Sequence, residues 1–203
     1  MFSLIQAAGW PIYPLLLASV IALAIIAERL WTLRSGTVMP KGLLMQAAQE
    51  YRQNGATAAA LTKLAEGSPL GQVLAAGIKN IKASPVILKE SIEEAGRAVA
   101  ANLERFLTTL GTIAAISPLL GLFGTVVGMI EIFGSSSPTG NANPTQLAHG
   151  ISIALYNTAF GLVVAIPSMI FYRHFRSQVD NLLLEMEMQG TKLVEILHGE
   201  RQA

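Results

Sequence analysis

Residues 106–133 and 147–172 are long, apolar and almost free of charge, and small residues recur inside them at helical spacing. A hydrocarbon core of about 30 Å needs about 20 apolar residues in helical form. In lipid a helix satisfies its own backbone groups, whereas a lone strand leaves them bare. Both stretches are therefore expected to be membrane-spanning helices, and a third window at about 11–30 passes the same test. Charged residues make up 13% of the chain, against about 25% in a soluble domain, and whole windows lack them. The fold class is read as an all-α integral membrane protein with three transmembrane helices. The first window is expected to be retained and not a cleaved leader, because no Lys or Arg precedes Arg29 and no small-residue cleavage site follows.

The basic residues set an orientation. Residues 1–28 and 106–172 hold none of them; they run from Arg29 to Arg105, then reappear as Arg173, Arg176, Lys192 and Arg201. The positive-inside rule puts 31–105 and the tail in the cytoplasm, and the N-terminus and outer loop outside. The expected division is 1–30 for the outer segment and first span, 31–105 for a cytoplasmic helical region, and 106–134 for the second span. A loop at 135–146, a third span at 147–172 and a cytoplasmic C-terminal helix at 173–203 complete it. Trp10, Tyr13 and Trp31 fit interfacial belts.

Between the first two spans the pattern predicts short soluble helices, broken at Asn54-Gly55, at Gly67-Ser68-Pro69 and at Ser84-Pro85. From Pro85 onward, Ile92, Ala95, Val99 and Leu103 share one face, and no breaker separates them from the second span. The spacing predicts one helix over 85–133. Val179, Leu182, Leu183, Met186, Gln189, Leu193 and Leu197 likewise extend the third span as an amphipathic stripe.

In the second span Gly111, Ala114, Pro118, Gly121, Thr125 and Gly128 fall on one side; in the third, Ala154, Thr158, Gly161, Ala165 and Ser168 do so. Small faces let membrane helices approach closely. The stripes have two readings: they pack the chain's own three helices together, or Gly121, Gly128, Ala154, Gly161 and Ala165 are pore-packing residues of a ring in which the stripes meet apposed partners. Thr125 and Thr158, with Asn157 beside the latter, have two readings. Each hydroxyl either bonds only its own helix backbone, or lines an ion path that could solvate an ion or a partner's carboxylate. Glu131 is the one acidic residue in these windows and is a candidate outer-end polar site. Pro118 and Pro167 need no functional reason in membrane helices.

Several classes drop out. The chain has no cysteine and a net charge of +1, so no thiolate site and no nucleic-acid surface are expected. His149, His174 and His198 lack metal-ligand spacing, and no nucleophile elbow or phosphate loop is present. The chain is expected to be no enzyme and to hold no metal or cofactor.

The run from Ser117 to Gly128, Ser-Pro-Leu-Leu-Gly-Leu-Phe-Gly-Thr-Val-Val-Gly, and the run from Gly150 to Pro167 resemble the signatures of the MotA/TolQ/ExbB proton channel family. The three-span layout and Ser68-Pro-Leu-Gly71 resemble its ExbB/TolQ branch. The resemblance implies a homopentamer in the bacterial inner membrane, with a periplasmic N-terminus and a cytoplasmic C-terminus. It further implies a pore lined by spans two and three that holds the single helices of an ExbD/TolR-type partner, whose aspartate is protonated and deprotonated as ions cross. The implied function is a channel or stator subunit that uses proton-motive force to energise outer-membrane transport or envelope integrity, with a TonB- or TolA-type protein as a further partner. Thr125 and Thr158 match the threonines along the family's ion path. Many ExbB and TolQ proteins carry glutamate where this chain has Ile153. A threonine-lined path with Asn157 nearby could also accept sodium, though the resemblance favours protons. The alternatives are a non-conducting membrane scaffold for envelope proteins, and a transporter, which would show internal repeats and discontinuous helices.

Overall fold

A computed structural model describes residues 9–135 and 144–198. Eight helices form among the described residues: α1 (Ile12–Thr32), α2 (Ser35–Val38), α3 (Leu43–Asn54), α4 (Ala58–Gly67), α5 (Pro69–Lys79), α6 (Pro85–Leu103), α7 (Leu107–Ser135) and α8 (Pro144–His198). Three of them, α1, α7 and α8, contain windows long and apolar enough to cross a membrane. The readings placed on residues 1–8, on most of the outer loop and on the last five residues lie outside the described residues.

The chain divides into two compact units. The first takes in residues up to Glu28 and residues 106–174. In it α1 buries Ile12, Leu15 and Ala22 along one side, the three- and four-residue spacing of a helix face. Trp10 sets its ring edge-on to Phe123, centroids 5.9 Å apart. The outward side chains, among them Leu17, Val20, Leu119, Val126, Leu155 and Val163, are large and apolar, as a lipid-facing or subunit-facing surface requires.

The second unit comprises 29–105 and 175–203, and its short helices begin and end where the turn residues direct. Ser68 Oγ accepts from the Gly71 amide at 3.1 Å, with Pro69 opening α5; Ser84 and Pro85 do the same for α6. Both are an N-cap serine followed by a proline whose missing N–H costs the helix nothing. Gly55 closes α3 at φ 66, donating its amide to Tyr51 O. A side chain at Gly71 would run into the carbonyl of Leu64, so this glycine is what lets α4 and α5 fold tightly together. The core joins Leu70, Val73 and Leu74 of α5, Leu88, Ile92 and Val99 of α6, and Phe175, Val179, Leu182, Met186 and Leu193 of α8. Gly190 lets α8 sit against both: a Cβ there would lie 3.2 Å from Ile92 Cγ2 and 3.4 Å from Val73 Cγ1.

One expectation is corrected. Residues 85–133 are not a single helix: α6 stops at Leu103, and Phe106 adopts φ 62 before α7 begins. A positive φ is rare for a bulky residue and ends a helix. No glycine or proline marks the spot. Instead the carbonyl freed at the break is satisfied from elsewhere, by Arg29 Nη1 on Leu103 O at 3.0 Å. α8 runs unbroken through Pro167 to His198, and of the expected stripe it buries Val179, Leu182, Met186 and Leu193.

Candidate functional site

The glycines of α7 and α8 define how these helices meet. A Cβ on Gly161 would lie 2.6 Å from Ser117 O and 3.2 Å from Gly121 Cα. On Gly121 it would lie 2.7 Å from Asn157 O and 2.9 Å from Thr158 Cα. On Gly128 it would meet Ala154 Cβ at 3.4 Å, and on Gly111 the ring of Tyr172 at 3.1 Å. Residue numbers rise along α7 as they fall along α8, so the helices are antiparallel, near backbone contact at Gly121 and Gly161. Lipid supplies no hydrophobic drive for this pairing, and close packing takes its place.

This placement matches the first reading of the stripes, packing within the chain. Gly121, Gly128, Ala154 and Gly161 face the other helix of the same chain, and Ala165 is buried. The two stripes partner each other, so they do not by themselves call for a ring.

The polar residues separate in the same geometry. Asn157, expected on the ion path, sits within the helix pair at 1% exposure. A Cβ on Gly124 would be 2.7 Å from Asn157 Cβ and 2.8 Å from its Cγ, so Asn157 lies directly over Gly124. Sequence reasoning passed over Gly124, because it stands one residue off the stripe. Thr125 Oγ1 donates to Leu122 O at 2.6 Å, the local bond that was one of its two readings. Thr112, Ser117, Ser152 and Ser168 bond back to carbonyls of their own helices in the same way. Thr158 differs. Its side chain is half-buried, and its Oγ1 lies on the buried side with no hydrogen-bond partner among the described residues. Glu131 is exposed near the end of α7. Ile153 and His149 lie in α8, and their side chains lie outside the described residues. Among the described residues no cluster of His, Cys, Asp or Glu could hold a metal ion.

Three membrane-length helices, two of them joined through glycines around a weakly polar layer without an acid at its centre, define a multi-pass, all-helical membrane protein. The chain belongs to the MotA/TolQ/ExbB proton channel family, whose model matches residues 65–188. It is 33% identical over 189 residues to the biopolymer transport protein exbB1 of Vibrio cholerae, covering 90% of this chain and 82% of that one. A Synechocystis protein described as ExbB-like 3 is 35% identical over 174 residues, covering 85% of this chain and 83% of its own length. The biopolymer transport protein ExbB of Salmonella typhimurium is 47% identical over 70 residues, 34% of this chain and 29% of that protein.

Proposed function

We propose that this chain is the channel subunit of a bacterial inner-membrane motor that couples proton-motive force to transport at the cell envelope. It works as a homopentamer around the helices of an ExbD/TolR-type partner, with its N-terminus periplasmic and its C-terminus cytoplasmic. Family membership and relatives named for biopolymer transport support this reading, and so does the lack of any acidic residue in 106–130 and 147–172. The titrating carboxyl is the partner's.

The observation that carries the site is the unbonded hydroxyl of Thr158. A buried hydroxyl without a partner costs about 1–3 kcal/mol. Threonine in a helix has two accessible χ1 rotamers, and turning Thr158 breaks no hydrogen bond. Its hydroxyl can therefore leave the helix pair for the half-exposed side, where it donates to a carboxylate and accepts from the protonated acid. Thr125 supplies mainly acceptor lone pairs, because its proton is held by Leu122 O. The test is proton flux in vesicles holding the chain with its single-span partner. Thr158→Val should assemble and lose most of the flux. Assembly with undiminished flux would sink the proposed path.

A further inference from the structure

We infer that the inner end of α1 carries a binding site for an anionic phospholipid, whose phosphate is held by Arg34 where its guanidinium lies over the Trp31 ring. That this lipid belongs to the cytoplasmic leaflet rests on the orientation proposed above; the contact itself does not.

Depth places the pair at the phosphates. Tyr13, Leu17, Val20 and Trp31 lie exposed on one face of α1. Tyr13 and Trp31 frame the apolar window, about 27 Å apart at 1.5 Å per residue, close to the thickness of a hydrocarbon core. Trp31 therefore stands at the core boundary, and Arg34 follows within one turn. The turn between them is fixed. Leu33 and Val38 are each 1% exposed, the Leu33 amide bonds Arg29 O at 3.0 Å, and the Leu33 carbonyl accepts from Gln178 Nε2 at 2.7 Å. Between these anchors Arg34 is extended at φ -64 and ψ 128. Its guanidinium carbon sits 4.7 Å from the centroid of the Trp31 ring.

The charge of Arg34 is left for a ligand. Arg29 and Arg176 spend theirs on Leu103 O and Glu104, whereas Arg34 is exposed and forms no ion pair among the described residues. Stacking occupies only the face of the guanidinium. Its N–H donors point outward in the plane of the group, so the edge stays open to a phosphate, which it meets with two parallel bonds. Leu23, Leu30 and Arg34 follow one another at seven- and four-residue spacing and so share one side of the helix. Both leucines are exposed, and the acyl chains of a lipid bound at Arg34 run down them. A headgroup with net negative charge is favoured over a zwitterionic one, whose own cation competes with Arg34 for the phosphate.

Trp10 and Trp31 are the two tryptophans of the chain, so Trp10→Phe leaves Trp31 as the sole reporter. The full chain carrying that change is placed in phosphatidylcholine vesicles, and phosphatidylcholine or phosphatidylglycerol with chains brominated near the headgroup, which quench a tryptophan they touch, replaces part of the lipid at equal mole fraction. Brominated phosphatidylglycerol should quench Trp31 with an apparent affinity about fivefold above that of brominated phosphatidylcholine, the effect of one near-surface cation. Adding Arg34→Gln should bring the two lipids level. Arg34→Lys should keep part of the preference, because a point charge replaces the planar fork. Equal quenching by the two lipids before Arg34 is changed, or an undiminished preference in the Arg34→Gln chain, overturns the inference. So does a lack of quenching by either lipid, which would mean that protein covers this face. Orientation is read separately. Ser35→Cys, in a chain with no native cysteine, should react with an impermeant maleimide only from the cytoplasmic side. Reaction from the opposite side overturns the orientation and the leaflet and leaves the lipid contact standing.

Discussion

Arg29 Nη1 donates to the main-chain oxygen of Leu103 at 3.0 Å, in a setting where Arg29 itself is only 2% exposed. Arg29 stands in the last turn of α1, and Leu103 is the last residue of α6. A cation at the C-terminal end of a helix meets both an orphan carbonyl and the negative pole of the dipole. Two neighbouring contacts extend the arrangement. Gln178 Nε2 donates to Leu33 O at 2.7 Å, and Arg176 pairs with Glu104 at 2.8 Å. The side chain of one helix thus caps the end of another where the long helices continue into the second unit.

Removing Arg29 is expected to destabilise this junction. Arg29→Leu leaves Leu103 O buried without its donor, a cost of about 1–3 kcal/mol, and Arg29→Lys should recover only part of it because a single ammonium replaces a planar fork. Thermal unfolding in lipid nanodiscs should show the loss, and amide exchange should quicken around residues 103–107. Unchanged exchange there would mean that the break holds itself.

The Glu104–Arg176 pair should matter far less despite its shorter distance. Its side chains are 33% and 48% exposed, and solvated pairs contribute about 0–1 kcal/mol. A double-mutant cycle with Glu104→Gln and Arg176→Gln should give a coupling below that of the Arg29 contact. A larger coupling would show the pair to be shielded in the assembled protein.

The membrane helices were legible because charge-free length is a strong signal, and the helix breaks at Ser68-Pro69 and Ser84-Pro85 were legible because proline cannot continue a helix from within, although the capping role of the two serines was not read. The break at Phe106 was not, since no glycine or proline marks it and the donor that satisfies its freed carbonyl is a side chain 74 residues away; periodicity registers only local preference. The pairing of the two glycine stripes with each other was one of two readings and stayed undecided for a related reason. A small face announces close approach but does not name its partner. Thr125 and Thr158 looked alike in sequence, and only the hydrogen bond to Leu122 O separates them.

That difference gives opposite stability signs. Thr158→Val removes an unsatisfied buried hydroxyl and keeps the shape, so the isolated chain should become more stable, by up to about 1–3 kcal/mol. Thr125→Val gives up a local bond on a half-exposed side chain and should be neutral or slightly destabilising. Thermal midpoints of the chain purified without its partner decide the matter. A lower midpoint for Thr158→Val would show that its hydroxyl is already bonded in the free chain.

Glycine substitutions should divide by what their new methyl meets. At Gly161 it meets Ser117 O at 2.6 Å and Gly121 Cα at 3.2 Å. Both are backbone atoms, so no side chain can swing aside and α7 must move off α8. The cost of such overpacking is about 1–3 kcal/mol, more than the gain of about 1 kcal/mol that alanine brings to a helix interior. Gly161→Ala should therefore lower the midpoint. Gly96, inside α6, has nothing within 4 Å of the same position, so Gly96→Ala should keep the propensity gain and raise the midpoint. If Gly161→Ala proved as benign as Gly96→Ala, α7 and α8 could not be as close in the membrane as the backbone contact at Ser117 requires.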